Sequence, residues 1–277
     1  MNNVVDKMKK FTFKEDLSCN PNAAWDLIKE KQVLNPIDPL NPKEIPISPN
    51  MVRFVCLSDT HNRTSDMIHS VPDGDVLLHA GDFTRNGTQH EARKFNDWLG
   101  TLPHPYKIVI GGNHELLLDA EASTIGRAVD PSEVLSNATS YLCDSSVTVH
   151  GLKIYGAPWT PVYHVMAFNV IRGSPIRKKW DRIPKKVDVL MTHGPPLGRG
   201  DRSWRKEHCG CVDLLHTIQK RVKPKFHVCG HIHEGYGITS DGHTTYINAS
   251  ICDVAYEPVN APIVFDLPLP QGYSKDK

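Results

Sequence analysis

The sequence has no continuous apolar run long enough to cross a bilayer, and its lysine-bearing N-terminus has none of signal-peptide length. A spanning helix needs about 20 predominantly apolar residues, so a membrane-embedded class is not expected. Position 2 is Asn2, not the glycine that N-myristoylation requires. Charge of one sign is also missing: 32 Lys and Arg stand against 31 Asp and Glu, for a formal net charge of +1. That balance argues against a dedicated nucleic-acid binder, which carries a strongly basic domain or stripe. The basic clusters are short and interrupted (Arg177-Lys178-Lys179, Lys185-Lys186, Arg202 with Arg205-Lys206, Lys220-Arg221 with Lys223) and read as solvated surface. Trp180 and Trp204 lie among them and read as packing anchors in preference to a stacking platform for single strands. A disulfide framework is absent too. The 7 Cys have no framework spacing, and Cys56 and Cys229 sit inside strand-like runs, as buried thiols in a reducing compartment do. Cys209-Gly210-Cys211 has neither a second pair nearby nor the Cys-x-x-Cys spacing of a metal or redox site. No internal repeat or low-complexity tract is present. The expectation is a soluble, cytoplasmic protein with no membrane partner and no stable nucleic-acid partner.

What the chain does have is a recurring coincidence: apolar strand-like runs stop, and metal-ligating residue types follow at once. Phe54-Val55-Cys56-Leu57-Ser58 runs into Asp59-Thr60-His61, and Val76-Leu77-Leu78-His79-Ala80 into Gly81-Asp82. Lys107-Ile108-Val109-Ile110 leads to Gly111-Gly112-Asn113-His114-Glu115. The run from Val187 to Thr192 ends at His193, and Phe226-His227-Val228-Cys229 ends at Gly230-His231-Ile232-His233. In open α/β sheets, ligands bind in the crevice at one end of the strands. Any one of these pieces alone reads as an ordinary turn, since Gly and Asp favour turns and single histidines are usually structural. Their conjunction makes a mixed oxygen and nitrogen ligand set large enough for two divalent cations, the signature of a dinuclear metal hydrolase.

Strands alternating with helical segments predict an α/β fold. Residues 1–50 read as an extended, proline-rich arm, because Pro36, Pro39, Pro42, Pro46 and Pro49 fix φ and remove donors. Residues 51–270 read as the catalytic domain, and residues 271–277 as a polar tail. Thr88-Gln89-His90-Glu91 reads as a capping box opening a helix whose core face is Ala92, Phe95, Trp98, Leu99 and Leu102. Asp130-Pro131 is a second helix start, and Val212, Leu215, Ile218 and Val222 line a third helix that stops before Pro224. His79 and His227 lie inside strands and read as packing histidines, whereas His164, His208 and His243 lie in loop-like segments.

Asp-x-His, Gly-Asp, Gly-Asn-His-Glu, a lone His and Gly-His-x-His, in that order, resemble the calcineurin-like metallophosphoesterases. Gly81-Asp82-Phe83-Thr84 and the segment Gly156 to Pro161 (Gly-Ala-Pro-Trp-Thr-Pro) further resemble the branch called metallophosphoesterase domain-containing proteins. The resemblance runs from about Met51 to Leu267. It implies a sandwich of two central β-sheets flanked by helices, with a dinuclear site at the strand ends. It also implies that Asp59, His61, Asp82 and His233 hold one metal, and Asp82, Asn113, His193 and His231 the other. Some members of the branch lack the first His of Gly-His-x-His; here His231 is present. A shared carboxylate suits two cations about 3.5–4 Å apart. Imidazole with carboxylate suits manganese, iron or zinc, and the resemblance favours Mn²⁺. A water bridging the ions would attack phosphorus, with His114 protonating the leaving group.

The stretch Gly81-Asp82-Phe83-Thr84-Arg85-Asn86-Gly87 lacks the Asp-Arg pair that protein phosphatases of the superfamily carry in register after Gly-Asp. The branch resemblance implies a small phosphodiester instead, with 3′,5′- or 2′,3′-cyclic nucleotides leading. Asn113 and His114 would touch that substrate, and Trp159 could stack on a base. The competing readings are a metal- and nucleotide-binding scaffold with little turnover, and a phosphomonoesterase.

Overall fold

Alternate side chains of a single strand serve two different cores. In β2 (Met51–Leu57), Phe54 and Cys56 point into one apolar cluster, and Val55 and Leu57 into another. Such a strand is buried on both faces, which is why, Arg53 apart, it reads as a near-continuous apolar run. The computed structural model in which this is seen describes residues 15–120 and 128–275. Residues 1–14 of the expected arm and 276–277 of the expected tail lie outside the described residues.

Five strands form one sheet in the order β14 (Ile263–Pro268), β2, β3 (Val76–His79), β4 (Tyr106–Val109), β5 (Ser140–Tyr141). All pair in parallel except β14. Seven form the other, in the order β1 (Asn35–Ile37), β12 (Gly237–Ser240), β13 (Thr245–Asn248), β11 (Phe226–Cys229), β10 (Val189–Thr192), β7 (Leu152–Ala157), β6 (Ser145–Val149). Its centre, from β13 to β7, is parallel and its margins antiparallel. A short ribbon pairs β8 (Thr160–Pro161) with β9 (Asn169–Val170). The two large sheets meet through Phe54, Val76, Leu78, Ile108, Ile154, Met191, Val228 and Ile247. Phe265 stacks between Phe54 and Phe226, at 4.7 and 3.8 Å between ring centroids.

Helices cover the outer faces. On the smaller sheet, α3 (Gln89–Thr101) buries Ala92, Phe95 and Leu99 and starts with the expected capping box. A single turn, α4 (Pro131–Val134), is capped by Asp130. On the larger sheet lie α5 (Ser174–Trp180) and α6 (Val212–Thr217), the latter running on through a π-turn to Val222 before Pro224. The parallel strands of both sheets send their C-terminal ends to one rim, and that rim carries the site. Among the described residues no helix is long and apolar enough to cross a membrane.

The proline-rich arm is not extended throughout. After α1 (Glu15–Ser18), the chain forms α2 (Pro21–Ile28), where Asn20 caps the helix by accepting from the Ala23 amide at 3.0 Å and Pro21 occupies the first turn. Ala24 and Trp25 of α2 pack on Leu197, Val212 and Leu215. Beyond it β1 adds an edge strand to the larger sheet, with Pro36 opposite Thr239. An edge is where a strand proline, which lacks an N–H, is tolerated. The described part of the tail is tied down as well, because Lys275 forms an ion pair with Asp75 at 2.7 Å.

Candidate metal centre

Three of the five loops leaving the rim turn sharply enough to aim a side chain inward. Asp59, His61, Asp82 and His231 all have positive φ, of 53°, 42°, 54° and 67°. Non-glycine residues rarely adopt this region, and such backbone is retained where the surroundings over-determine it. The approach is tight: a Cβ on Gly230 would collide with Asp59 Oδ2, and one on Gly112 with Asp82 Oδ1. These glycines let two backbones close on the carboxylates.

Asp59, His61 and His233 form one group of potential ligands, and Asp82, His193 and His231 another, with the ligating atoms in each within 4.8 Å of one another. His61, Asp82 and His114 form a third group of the same size. Asp82 Oδ2 lies between the two main groups, 3.3 Å from His193 Nε2 and 3.9 Å from His61 Nε2. Asn113 Oδ1 faces His193 Nε2 at 2.9 Å and His231 Nδ1 at 2.7 Å, while its amide donates to Met166 Sδ. The seven ligands expected from the sequence therefore converge, with Asp82 central.

The donor set fits cations on physical grounds. A carbonyl oxygen only accepts, so an imidazole nitrogen bonded to one must carry the hydrogen. His61 Nδ1 donates to Thr84 O at 3.2 Å, His233 Nδ1 to Asp253 O at 2.7 Å and His193 Nδ1 to Ala80 O at 2.8 Å. The Nε2 lone pairs of all three thus point inward, at one another and at Asn113 and Asp82 oxygens. Lone pairs so aimed repel unless protons or metal cations lie among them, and orienting a ligating His through its other nitrogen is the usual second-shell device.

Titration follows the same geometry. Burial alone would lower His193 and His233, but Asp82 beside the first and the bond that Asp59 accepts from the second push each up to about 9. Burial prevails at His61, lowered to about 4, and at His231, lowered to about 3 with help from the positive charge of His193. Burial opposes ionisation of Asp59 and Asp82, yet the surrounding histidines hold both well below the usual carboxylate range. Without metal, protons on His193 and His233 occupy the space between the lone pairs. Metal binding would displace them.

His114 stands at the mouth. Its Nδ1 donates to Arg85 O at 2.6 Å, so Nε2 is the atom turned to the centre, 3.9 Å from Asp82 Oδ2. Its amide donates to Asp82 Oδ1 at 2.8 Å, tying its position to the central carboxylate.

Trp159 does not join the site. Its ring is 6% exposed and meets Phe168 edge-on, its Nε1 donates to Asp144, and Lys179 sits over its face. The loop leaves the correct strand end, but the indole turns under it into the core. Trp180 is fully buried as expected, whereas Trp204, expected to be a packing anchor, is 70% exposed beside Arg205. His79 and His227 are buried and bond Thr60 Oγ1 and Thr192 Oγ1, each threonine adjoining a ligand. His208 pairs with Asp201 at 2.8 Å, and His243 bonds Lys223 O. Neither joins the ligand groups, while His164 packs against Tyr163 on the loop that passes the site.

Several side chains brace the centre without a sequence signal for that role. Glu115 is fully buried and accepts from the amides of Asp82, Thr84 and Gly112 and from the Thr84 hydroxyl, fastening two ligand loops together. Burial and the nearby Asp82 charge push it up to about 7. Ser250 donates to Asp59 Oδ2 at 2.8 Å. Tyr256 presents its ring edge-on to His61, His114 and His233. Glu115 adjoins the Asn113-His114 run, so its position was visible but its acceptor role was not; Ser250 and Tyr256 lie in segments without a recognisable pattern.

Known proteins resemble this chain in sequence. Residues 52–235 match the family model described as calcineurin-like phosphoesterase. The human metallophosphoesterase domain-containing protein 1 is 47% identical over 282 residues, covering 93% of this chain and 85% of that protein. The Mus musculus protein of the same name matches to the same extent, and a UPF0046 protein of Caenorhabditis elegans is 47% identical over 275 residues, covering 94% of this chain and 97% of its own length. With a sandwich of two sheets, ligand groups able to hold divalent metal at one rim and relatives along most of its length, this chain belongs to the calcineurin-like phosphoesterase family, whose character is metal-dependent phosphoester hydrolysis.

Proposed function

We propose that the protein is a phosphodiesterase of small substrates, with 3′,5′- or 2′,3′-cyclic nucleotides foremost and two Mn²⁺ ions as its cofactor. The observation that carries this reading is the inward convergence of His61, His193 and His233 lone pairs around Asp82, with His114 Nε2 at the mouth of the same space. Two bound divalent cations would supply charge to the phosphoryl oxygens and lower the pKa of a water. The chain's own residues do the rest. Asp59, His61, Asp82 and His233 would hold one cation, and Asp82, Asn113, His193 and His231 the other. Asn113 contributes a neutral oxygen, which leaves the centre more positive toward an anion than a carboxylate would. His114, oriented through Arg85 O, gives its Nε2 proton to the departing oxygen.

A nucleoside finds apolar surface next to His231, where Tyr163, 59% exposed, lies 6.3 Å from the imidazole and Val162 and Val165 are also exposed. Apolar walls with a few convergent polar groups suit a small organic ligand. The near-zero net charge favours a small substrate over duplex DNA, and the 7 free thiols, most of them buried, fit a cytoplasmic location.

The test is a side-by-side assay of 3′,5′-cyclic AMP, 3′,5′-cyclic GMP, a 2′,3′-cyclic nucleotide, a phosphopeptide and a DNA duplex, with Mn²⁺ and after chelation. Metal-dependent turnover led by a cyclic nucleotide is expected. Fastest turnover of the phosphopeptide would replace the diesterase with a phosphomonoesterase. No turnover of any substrate by metal-loaded protein would leave a binding scaffold.

A further inference from the structure

We propose that Arg85 binds the phosphoryl group of the substrate, and that Tyr256 holds its guanidinium in readiness beside the centre; this deepens the phosphodiesterase reading and rests on it for the identity of the anion. Tyr256 has φ of 63°, a conformation that an aromatic residue adopts only under constraint. The constraint is visible. Tyr256 donates its amide to Asp253 O at 2.9 Å, and Asp253 Oδ1 accepts from the amides of Ala255 and Glu257. Arg63 grips the far side, bonding Tyr256 O at 3.3 Å and Glu257 Oε2 at 2.9 Å. The same loop orients a ligand, because Asp253 O accepts from His233 Nδ1. So a segment that fixes one imidazole also drives a tyrosine ring against three, at 4.8 Å from His61, 5.4 Å from His233 and 6.4 Å from His114 between centroids.

A cation lies over a face of that ring. Arg85 Cζ lies 4.3 Å from the Tyr256 centroid, and among the described residues no carboxylate forms an ion pair with it. Arg63, by contrast, has both Asp66 and Glu257. An exposed guanidinium on a ring face is held weakly, whereas its planar fork bonds phosphate oxygens strongly and in pairs. Arg85 is also fastened to the machinery at its backbone, through its carbonyl's bond with His114 Nδ1. The side chain can therefore leave the ring for an arriving anion while its own main chain keeps His114 in place.

The experiment is calorimetric titration of inorganic phosphate into Mn²⁺-loaded protein, with metal content measured on each sample. R85A is expected to weaken phosphate about tenfold with metal content as in the wild type, since a hydrogen bond to a charged group contributes about that much. R85K should fall between, because an ammonium keeps the charge and loses the fork. Y256F, which keeps the ring, should stay within about twofold of wild type. R85Q, which keeps the stem without the charge, repeats the measurement if R85A does not fold. Wild-type affinity in R85A or R85Q, loss of metal along with phosphate, or no phosphate binding by the wild type would each overturn the assignment. Arg85-dependent phosphate binding by a protein that turns over no diester would uphold the assignment while defeating the phosphodiesterase reading.

Discussion

His61 Nε2 and His233 Nε2 face each other at 3.2 Å, and each ring has its other nitrogen turned to a main-chain carbonyl. In the metal-free protein one proton, held by His233, relieves that opposition, which accords with His233 raised to about 9 and His61 lowered to about 4. The pair reaches across the sandwich, since His61 follows a strand of the smaller sheet and His233 one of the larger. A cation between them would join the two sheets at the rim.

Metal affinity should therefore depend on pH in a defined direction. His193 and His233 must shed protons to bind metal, so affinity should rise from neutral pH to about 9 and level off above it. Loading at neutral pH should release about two protons, readable by calorimetry in buffers of different ionisation enthalpy. The metal-free chain should show a linked stability change. Both groups are raised above the ordinary imidazole value of 6.5, so the stability they contribute is full below that pH and is lost as pH rises through about 9. A metal affinity independent of pH across this window would count against the ligand assignment.

Asp82→Ala should abolish turnover and weaken both metals, because Asp82 Oδ2 adjoins imidazoles of both groups. His231→Gly should weaken mainly the metal shared with His193 and Asn113. Ser250→Ala, which removes the bond to Asp59 Oδ2, should weaken metal roughly 10–100-fold, as loss of such outer partners does. Metal titrations of the three variants check this.

His114→Ala should keep its metals and lose about 10²–10⁴-fold in turnover of esters with basic leaving groups. The loss should be smaller with a nitrophenolate leaving group, which needs little protonation. Equal losses on both would remove His114 from the acid role.

Glu115→Gln should destabilise the fold by about 1–3 kcal/mol, because an amide nitrogen would meet buried N–H groups that now have an acceptor. Urea unfolding measures the change. It should also weaken metal, since the Asp82 and Gly112 backbones would no longer share one anchor.

The residues that converge at the rim are legible in the sequence because parallel strands buried on both faces read as near-continuous apolar runs, and the converging side chains follow where each run stops. The capping box at Thr88 is legible for a similar reason, being local chemistry within four residues. Trp159 marks the limit of that logic: its place after a strand is visible, but the direction of the ring depends on Asp144 and Phe168, which arrive from other segments. Tyr256 and Arg85 meet across 171 positions, through a strained loop without sequence signature. The helix at Pro21 is signalled by Asn20, yet the prolines that follow dominate a reading of composition. Its docking on Leu197 and Leu215 is a tertiary contact that local pattern cannot supply.

The centre is proposed to hold two metals that share Asp82. The most direct measurement is elemental analysis of protein stripped by chelation, reloaded with Mn²⁺ and freed of excess metal, done alongside Asp82→Ala. Two equivalents per chain in the wild type, with both sites weakened in the variant, is the predicted result. A single equivalent at saturation, or a variant that keeps both, would contradict it.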